Sequence, residues 1–195
     1  MLPIWRLLEA GQGDLPPPYW AFAWVGGIAL ARYLLDHPEE VFGQRVLDFG
    51  AGSGLCAIAA SKAGATEVLA CDIDPWAGIA IELNAQANGV VIPFTVDDQL
   101  LNVVAGVDVI LAGDVCYEGP MAARVLAWLR AASAGGVRVL VGDPGRTYFP
   151  ASEFSPLAEY ELASTRELEE RDLSRAGVYR LRVGDLPRRE AVDPG

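Results

Sequence analysis

Residues Val46 to Leu55 read VLDFGAGSGL: an apolar run broken by an aspartate, then glycines at every second position, Gly50, Gly52 and Gly54. Glycine accepts positive φ and puts no Cβ between main chain and ligand, so this stretch reads as a turn against which a small molecule can lie flat. Two ligand classes ask for such a turn. A pyrophosphate-bridged dinucleotide needs its third glycine three residues after the second, and that position is Leu55. That spacing fails here, and the other candidate, a sulfonium-bearing nucleoside, stays open at this point. A nucleoside also needs a carboxylate for its ribose. Asp72, in VLACDIDP, ends the next apolar run about twenty residues on, where it can accept both ribose hydroxyls.

Residues of that kind have to sit at strand ends. After Gln44, short apolar runs alternate with helix-period segments, the pattern of a parallel sheet covered on both faces, so the fold class is α/β. Strands are expected over Arg45–Phe49, Glu67–Cys71, Val91–Thr95, Val107–Ala112 and Val137–Gly142, each apolar or β-branched and bounded by Gly, Asp, Asn or Pro. Helices are expected over Leu55–Ala63, Pro75–Asn88 and Met121–Ala132. The second has Asp74 as N-cap, Pro75 at its first position and Gly89 as its stop. Beyond Pro144, LAEYELAST and GVYRLRV read as two more strands that close the sheet edge as an antiparallel pair. Between them the charged RELEERDLSR reads as a solvated loop or short helix. The tail from Leu186 carries little apolar material and is expected to fray.

One domain accounts for 195 residues of which 52% are apolar. The longest uncharged stretch, Leu15 to Ala31, has prolines near its start and meets Arg32 before it could comfortably span a bilayer, so no membrane partner is expected. A formal charge of −11 without a basic stripe would repel a phosphate backbone, so nucleic acid is not an expected partner either. The opening MLPIWRLLEAGQGDL has neither a signal-peptide nor a transit-peptide pattern, and the expected location is cytoplasmic. Cys56, Cys71 and Cys116 are odd in number and lie among apolar neighbours, which predicts buried thiols, with neither disulfides nor a metal site. His37, before Pro38, is expected at the surface, at a helix end.

Asp48-x-Gly50-x-Gly52-x-Gly54, with Asp72 at the end of the next strand, resembles motif I and its acidic partner in class I S-adenosylmethionine methyltransferases. The resemblance implies a Rossmann-like, seven-stranded, mostly parallel sheet with an antiparallel C-terminal edge pair, and S-adenosyl-L-methionine as cofactor, leaving as S-adenosyl-L-homocysteine. Adenosine would then lie across the ends of the first two strands. Ile73 would lie against the adenine, and Asp97 or Asp98 would meet its exocyclic amine. Asp48 would either hold the glycine turn by accepting backbone N–H bonds or reach the methionine ammonium through water.

On that reading the methyl acceptor sits after the fourth strand, where DVILAGDVCYEGP delivers Asp114 and Tyr117. Methyl transfer is an in-line displacement at carbon activated by positive sulfur, so the protein has mainly to align the nucleophile and shed water. A lysine ammonium has no lone pair until it loses a proton, from an ordinary pKa of about 10.4. Asp114 could hold the arriving ammonium, and Tyr117 could orient the amine, in part by cation–π attraction. Asp114-Val115-Cys116-Tyr117 resembles the Asp-x-x-Tyr signature of methyltransferase family 16, the seven-strand protein lysine methyltransferases. Together with PPPYWAFAWVGGIALARYLLD and GDPGR it is most similar to the electron transfer flavoprotein β-subunit lysine methyltransferases, from about Pro16 to Val183. In that family a tryptophan-rich turn and helix cover the methionine end of the cofactor. This points to Trp20 and Trp24, which, four apart, would share a helical face either as core packing or as cofactor contact. Gly26 and Gly27 would let the segment approach the ligand closely. Asp143 and Arg146 would shape the acceptor channel or form a capping pair.

The resemblance thus implies protein-lysine N-methylation with the electron transfer flavoprotein β subunit as protein substrate. It also implies a helical cover over residues 1–44, a catalytic core over 45–183 and a tail over 184–195. Three alternatives stay open: methylation of ribosomal protein L11, methylation of a small-molecule amine, and a non-catalytic module that binds S-adenosylmethionine. The L11 enzyme shares GAGSG and DIDP but carries a recognition domain ahead of its catalytic one. Only about forty-five residues precede the first strand here, so that alternative is expected to weaken.

Overall fold

The computed structural model describes residues 17–101, 105–163 and 173–182, and among them seven strands form one sheet. β1 (Arg45–Phe49) and β2 (Glu67–Cys71) fall on the expected residues. β3 is cut to Phe94–Thr95, not the expected Val91–Thr95. The reason is Pro93, which has no N–H for the ladder; its carbonyl accepts from Ala70 N–H at 2.9 Å, and Val91 stays exposed. β4 (Val109–Gly113) and β5 (Arg138–Asp143) begin slightly later than expected and run one residue further. β6 (Phe154–Ala163) and β7 (Leu173–Leu181) are the antiparallel edge pair, with a register shift between Pro156 and Ala158 on the outer strand. β7 starts inside the charged run, at Leu173, which corrects its reading as loop or short helix as far as Arg175. The rest of that run and the tail from Leu186 lie outside the described residues.

The strand order is β3-β2-β1-β4-β5-β7-β6. β1 to β5 are parallel, β7 is antiparallel to both neighbours, and the chain reverses direction across the sheet between β1 and β4. That reversal opens a crevice beyond the carboxyl ends of β1 and β4, where ligands of such sheets bind. Among the described residues four α-helices cover the sheet: α1 (Val25–Asp36), α2 (Leu55–Lys62), α3 (Pro75–Ala87) and α4 (Gly119–Ala134). The two-residue period of the strands divides the core. Val46, Val109, Leu111 and Leu140 face α1, α2 and α3, whereas Leu47, Phe49, Ile110, Val139 and Val141 face Val125, Trp128 and Leu129 of α4. Asp74 Oδ1 caps α3 through Trp76 N–H at 2.9 Å, and Gly89, at φ +69°, turns the chain away behind it.

The helical cover brings α1 down directly onto the sheet. A Cβ on Gly26 would collide with the Gly142 carbonyl, and one on Gly113 would lie 2.9 Å from Gly27 Cα. Gly26 and Gly27 therefore serve a backbone-to-backbone approach to the ends of β4 and β5, where the expectation was an approach to ligand. At the other end of α1, Tyr33 donates to Glu40 at 3.1 Å, and Arg138 and Arg180 also pair with Glu40. No helix among the described residues is long and apolar enough to cross a membrane.

Candidate active site

Six carboxylates stand at or just beyond the carboxyl ends of the parallel strands: Asp48, Asp72, Asp97 with Asp98, Asp114 and Asp143 follow β1 to β5 in order. The first two brace the glycine turn. Gly50, Gly52 and Gly54 all have positive φ, +64°, +51° and +79°, conformations that a side chain would strain. Asp72 Oδ2 accepts Gly52 N–H at 2.9 Å and Oδ1 accepts Asp74 N–H at 3.0 Å. Each of its oxygens keeps a further lone pair, so the carboxylate that positions the turn can still receive two hydroxyls. Burial pushes its pKa up, against the pull of those backbone bonds. Asp48 points to the α2 side of the sheet, is 2% exposed, and accepts Ala57 N–H at 2.8 Å. It thus holds the first turn of α2 behind the glycines. Desolvation raises its pKa to about 7, helped by the Asp72 charge and opposed by the Ala57 bond.

Across the β1/β4 crevice, Asp114 stands in the left-handed region at φ +58°, an uncommon conformation that aspartate tolerates better than most residues. It is 8% exposed, and both its oxygens are engaged: Oδ2 accepts Gly27 N–H at 2.7 Å, and Oδ1 pairs with Arg146 Nη2 at 2.8 Å. Burial raises its pKa while Arg146 and the α1 N–H groups lower it. Asp143, fully buried, accepts Gly145 and Arg146 N–H groups through Oδ1, both at 2.7 Å. Among the described residues its Oδ2 has no hydrogen-bond partner, and neither does Arg146 Nε. Asp143 thus fixes the loop from which Arg146 reaches Asp114. Tyr117 is 49% exposed, and its ring lies 5.7 Å from that of Tyr19. Its pKa is raised by burial and by Tyr19 and Glu118.

The two tryptophans do not share a helical face. Trp20 lies in a 3-10 turn, Tyr19–Ala21, and Trp24 is the extended N-cap of α1, because Phe22 between them is extended and buried in the core. They serve different sides. Trp20 Cα lies 3.7 Å from where a Gly52 Cβ would stand, and the Trp24 ring lies 5.8 Å from the Arg146 guanidinium carbon. Tyr19, missed in the sequence, joins them. Its carbonyl accepts Trp24 Nε1–H at 2.9 Å, and its ring approaches both Trp24 and Tyr117. The Pro-Pro-Pro that forces a turn immediately before it was the available signal. Ile73, 70% exposed at the end of β2, presents a flat apolar face beside Asp72. Asp97 accepts the Thr95 hydroxyl at 2.8 Å, while Asp98 caps Leu100 N–H and pairs with Arg124 at 3.7 Å. His37 ends α1, lies with its ring tilted against Tyr33 and bonds Glu39, away from the crevice. The three cysteines are buried, with thiol pKa values raised by desolvation.

The family model described as ribosomal protein L11 methyltransferase matches residues 31–115, from within α1 through Asp48, the glycine turn, Asp72 and Asp114. The putative RNA methyltransferase of Pyrococcus horikoshii superposes with a TM-score of 0.63 at 16% identity, over 95% of this chain and 98% of that one, which shows the fold. The rat protein named electron transfer flavoprotein beta subunit lysine methyltransferase (Rattus norvegicus) is 43% identical over 178 residues, 86% of this chain and 69% of that one. Its human counterpart (Homo sapiens) is 41% identical over the same share of this chain and 68% of its own. At 86% of this chain these matches must run past residue 115, where the L11 model ends, and include Arg146. The chain is a methyltransferase and belongs to the electron transfer flavoprotein beta subunit lysine methyltransferase family.

Proposed function

We propose that the chain transfers methyl groups from S-adenosylmethionine to lysine side chains of the electron transfer flavoprotein β subunit. The observation that supports this most is the meeting of two unlike carboxylate sites across one crevice. On the β1/β2 side are the bare glycine turn and Asp72; on the β4 side are Asp114 and Tyr117.

The residues present fit an adenosyl ligand. The turn at Gly50, Gly52 and Gly54 offers backbone without side chains, Asp72 has lone pairs left for the ribose hydroxyls, and Ile73 offers an exposed apolar surface to a base. Asp97 or Asp98 would meet the exocyclic amine, and Trp20 would close over the turn. Asp48 supports α2 from below. Bound there, S-adenosylmethionine supplies a methyl carbon activated by positive sulfur, which the amine lone pair takes while the carbon–sulfur electron pair stays with sulfur. The chain's part is alignment and exclusion of water. Asp114 accepts an N–H of the arriving amine and turns its lone pair toward the donor, Tyr117 and Tyr19 wall the approach, and a nitrogen-bound proton leaves to water.

The test is incubation of the purified protein with methyl-labelled S-adenosylmethionine and, in parallel, the flavoprotein β subunit and ribosomal protein L11. Mass spectrometry then locates the label. The proposal expects methylated lysine in the β subunit; label on L11 alone, or on neither, overturns it.

A further inference from the structure

Asp114 is not waiting for a cation; it already has one. Arg146 Nη2 lies 2.8 Å from its Oδ1, while α1 supplies Gly27 N–H to Oδ2. Arg146 is itself held three ways. Asp143 Oδ1 receives its backbone N–H, Asp114 receives its guanidinium, and the Trp24 ring lies 5.8 Å from its guanidinium carbon. Asp114 cannot swing away, because Gly26 and Gly27 pack against it with almost no space; even a Cβ on Gly26 would come within 2.7 Å of Oδ2.

We propose that Arg146 is a positioning residue that occupies Asp114 and so makes the acceptor pocket reject a second cation, with the result that the substrate lysine is received as the neutral amine. This rests on the lysine methyltransferase reading above. A lysine ammonium entering here would meet a guanidinium already paired to Asp114, with the donor sulfonium opposite. Displacing Arg146 would exchange one ion pair for another and leave a partly buried guanidinium unpaired. A neutral amine meets no such cost, can donate N–H to the remaining lone pair of Asp114, and carries the lone pair that the reaction needs. The proton goes to water on entry. The other ionisable groups facing the Asp114–Arg146 pair are Asp143 from β5, Cys56 from α2 and Cys116 from the loop after β4; none of them is a cation. The sequence-based expectation that Asp114 holds an ammonium is replaced by one in which it orients an amine.

The test compares wild type, Arg146→Gln and Arg146→Lys on the flavoprotein β subunit, following kcat and KM against pH. It adds calorimetry of substrate binding to the S-adenosylhomocysteine complex in two buffers of different ionisation enthalpy. Wild type is expected to show a rising limb of kcat at least about one pH unit below the 10.4 of free lysine, and to release a proton on substrate binding. In Arg146→Gln the limb moves up by about one unit, kcat near neutral pH falls about tenfold, KM falls or holds, and proton release shrinks. Arg146→Lys, which keeps the charge, holds the limb close to wild type. A wild-type limb near 10, no proton release, or an unmoved limb in Arg146→Gln overturns the inference. So does a KM that rises at constant kcat. Where Arg146→Gln does not fold, the wild-type limb and proton release decide alone. Absence of any transfer to the β subunit by wild type overturns the functional reading, and this inference with it, whereas failure of the inference alone leaves wild-type transfer intact.

Discussion

Two buried acid clusters lie at opposite ends of the sheet, joined by α1 and β5, and they are built to opposite plans. At the amino end of β5, one carboxylate, Glu40, is shared by Arg138, Arg180 and the Tyr33 hydroxyl. At the carboxyl end, two carboxylates hold one arginine, Arg146: Asp114 takes its guanidinium and Asp143 its backbone N–H. The first cluster has cations in excess, with arginines that reach the surface; it ties the helical cover to the strand edge and asks nothing of a ligand. The second has acceptors in excess, one of them the orphaned Oδ2 of Asp143, and lies beside half-exposed tyrosines. A cluster whose carboxylate oxygens are all paired is a fastening. One that keeps an unpaired carboxylate oxygen beside half-exposed tyrosines has the character of a site.

The contrast can be broken by mutation, and the largest effect belongs to the open cluster. Asp114→Ala is expected to lower methyl transfer about a thousandfold, the scale of losing a group that orients the reacting atom, with cofactor affinity nearly unchanged. Label incorporation and cofactor titration measure the two separately. Asp72→Ala acts on the other wall: losing two hydroxyl bonds to a carboxylate should weaken S-adenosylhomocysteine about a hundredfold in calorimetry.

Glu40→Ala tests the fastening. With the arginines partly solvated, a stability loss of about 2 kcal/mol in urea unfolding is expected, and transfer at saturating substrate should survive. The smallest effect is on the pH dependence of stability through Asp48. Its folded pKa is raised, to about 7 from 3.8, so the folded state holds a proton that the unfolded state has released. Stability from this group is complete below pH 3.8 and is lost as pH rises through 7. Asp48→Asn, which keeps an acceptor for Ala57 N–H, should flatten that decline between pH 5 and 7, read from thermal melts. An unchanged slope would mean that Asp48 stays ionised.

What the sequence made legible follows from range. β1, β2 and the glycine turn are encoded by residues next to one another, and they stand where expected. β3 was overlong because an apolar run does not announce that Pro93 withholds a donor. Trp20 and Trp24 were put on one helix because their spacing allowed it, and only the burial of Phe22 shows why the chain is extended there. The acceptor side was legible as residue types and not as partners. Asp114 and Arg146 are thirty-two residues apart, and their pairing depends on β4 and β5 lying side by side. The packing of Gly26 on Gly142 is longer in range still, and no local pattern encodes it.

The central claim is that the crevice between the glycine turn and Asp114 receives an adenosyl ligand, and titration of folded wild-type protein with S-adenosylhomocysteine tests it most directly. The account predicts saturable binding of one molecule per chain. Folded protein that shows no saturable binding would contradict it.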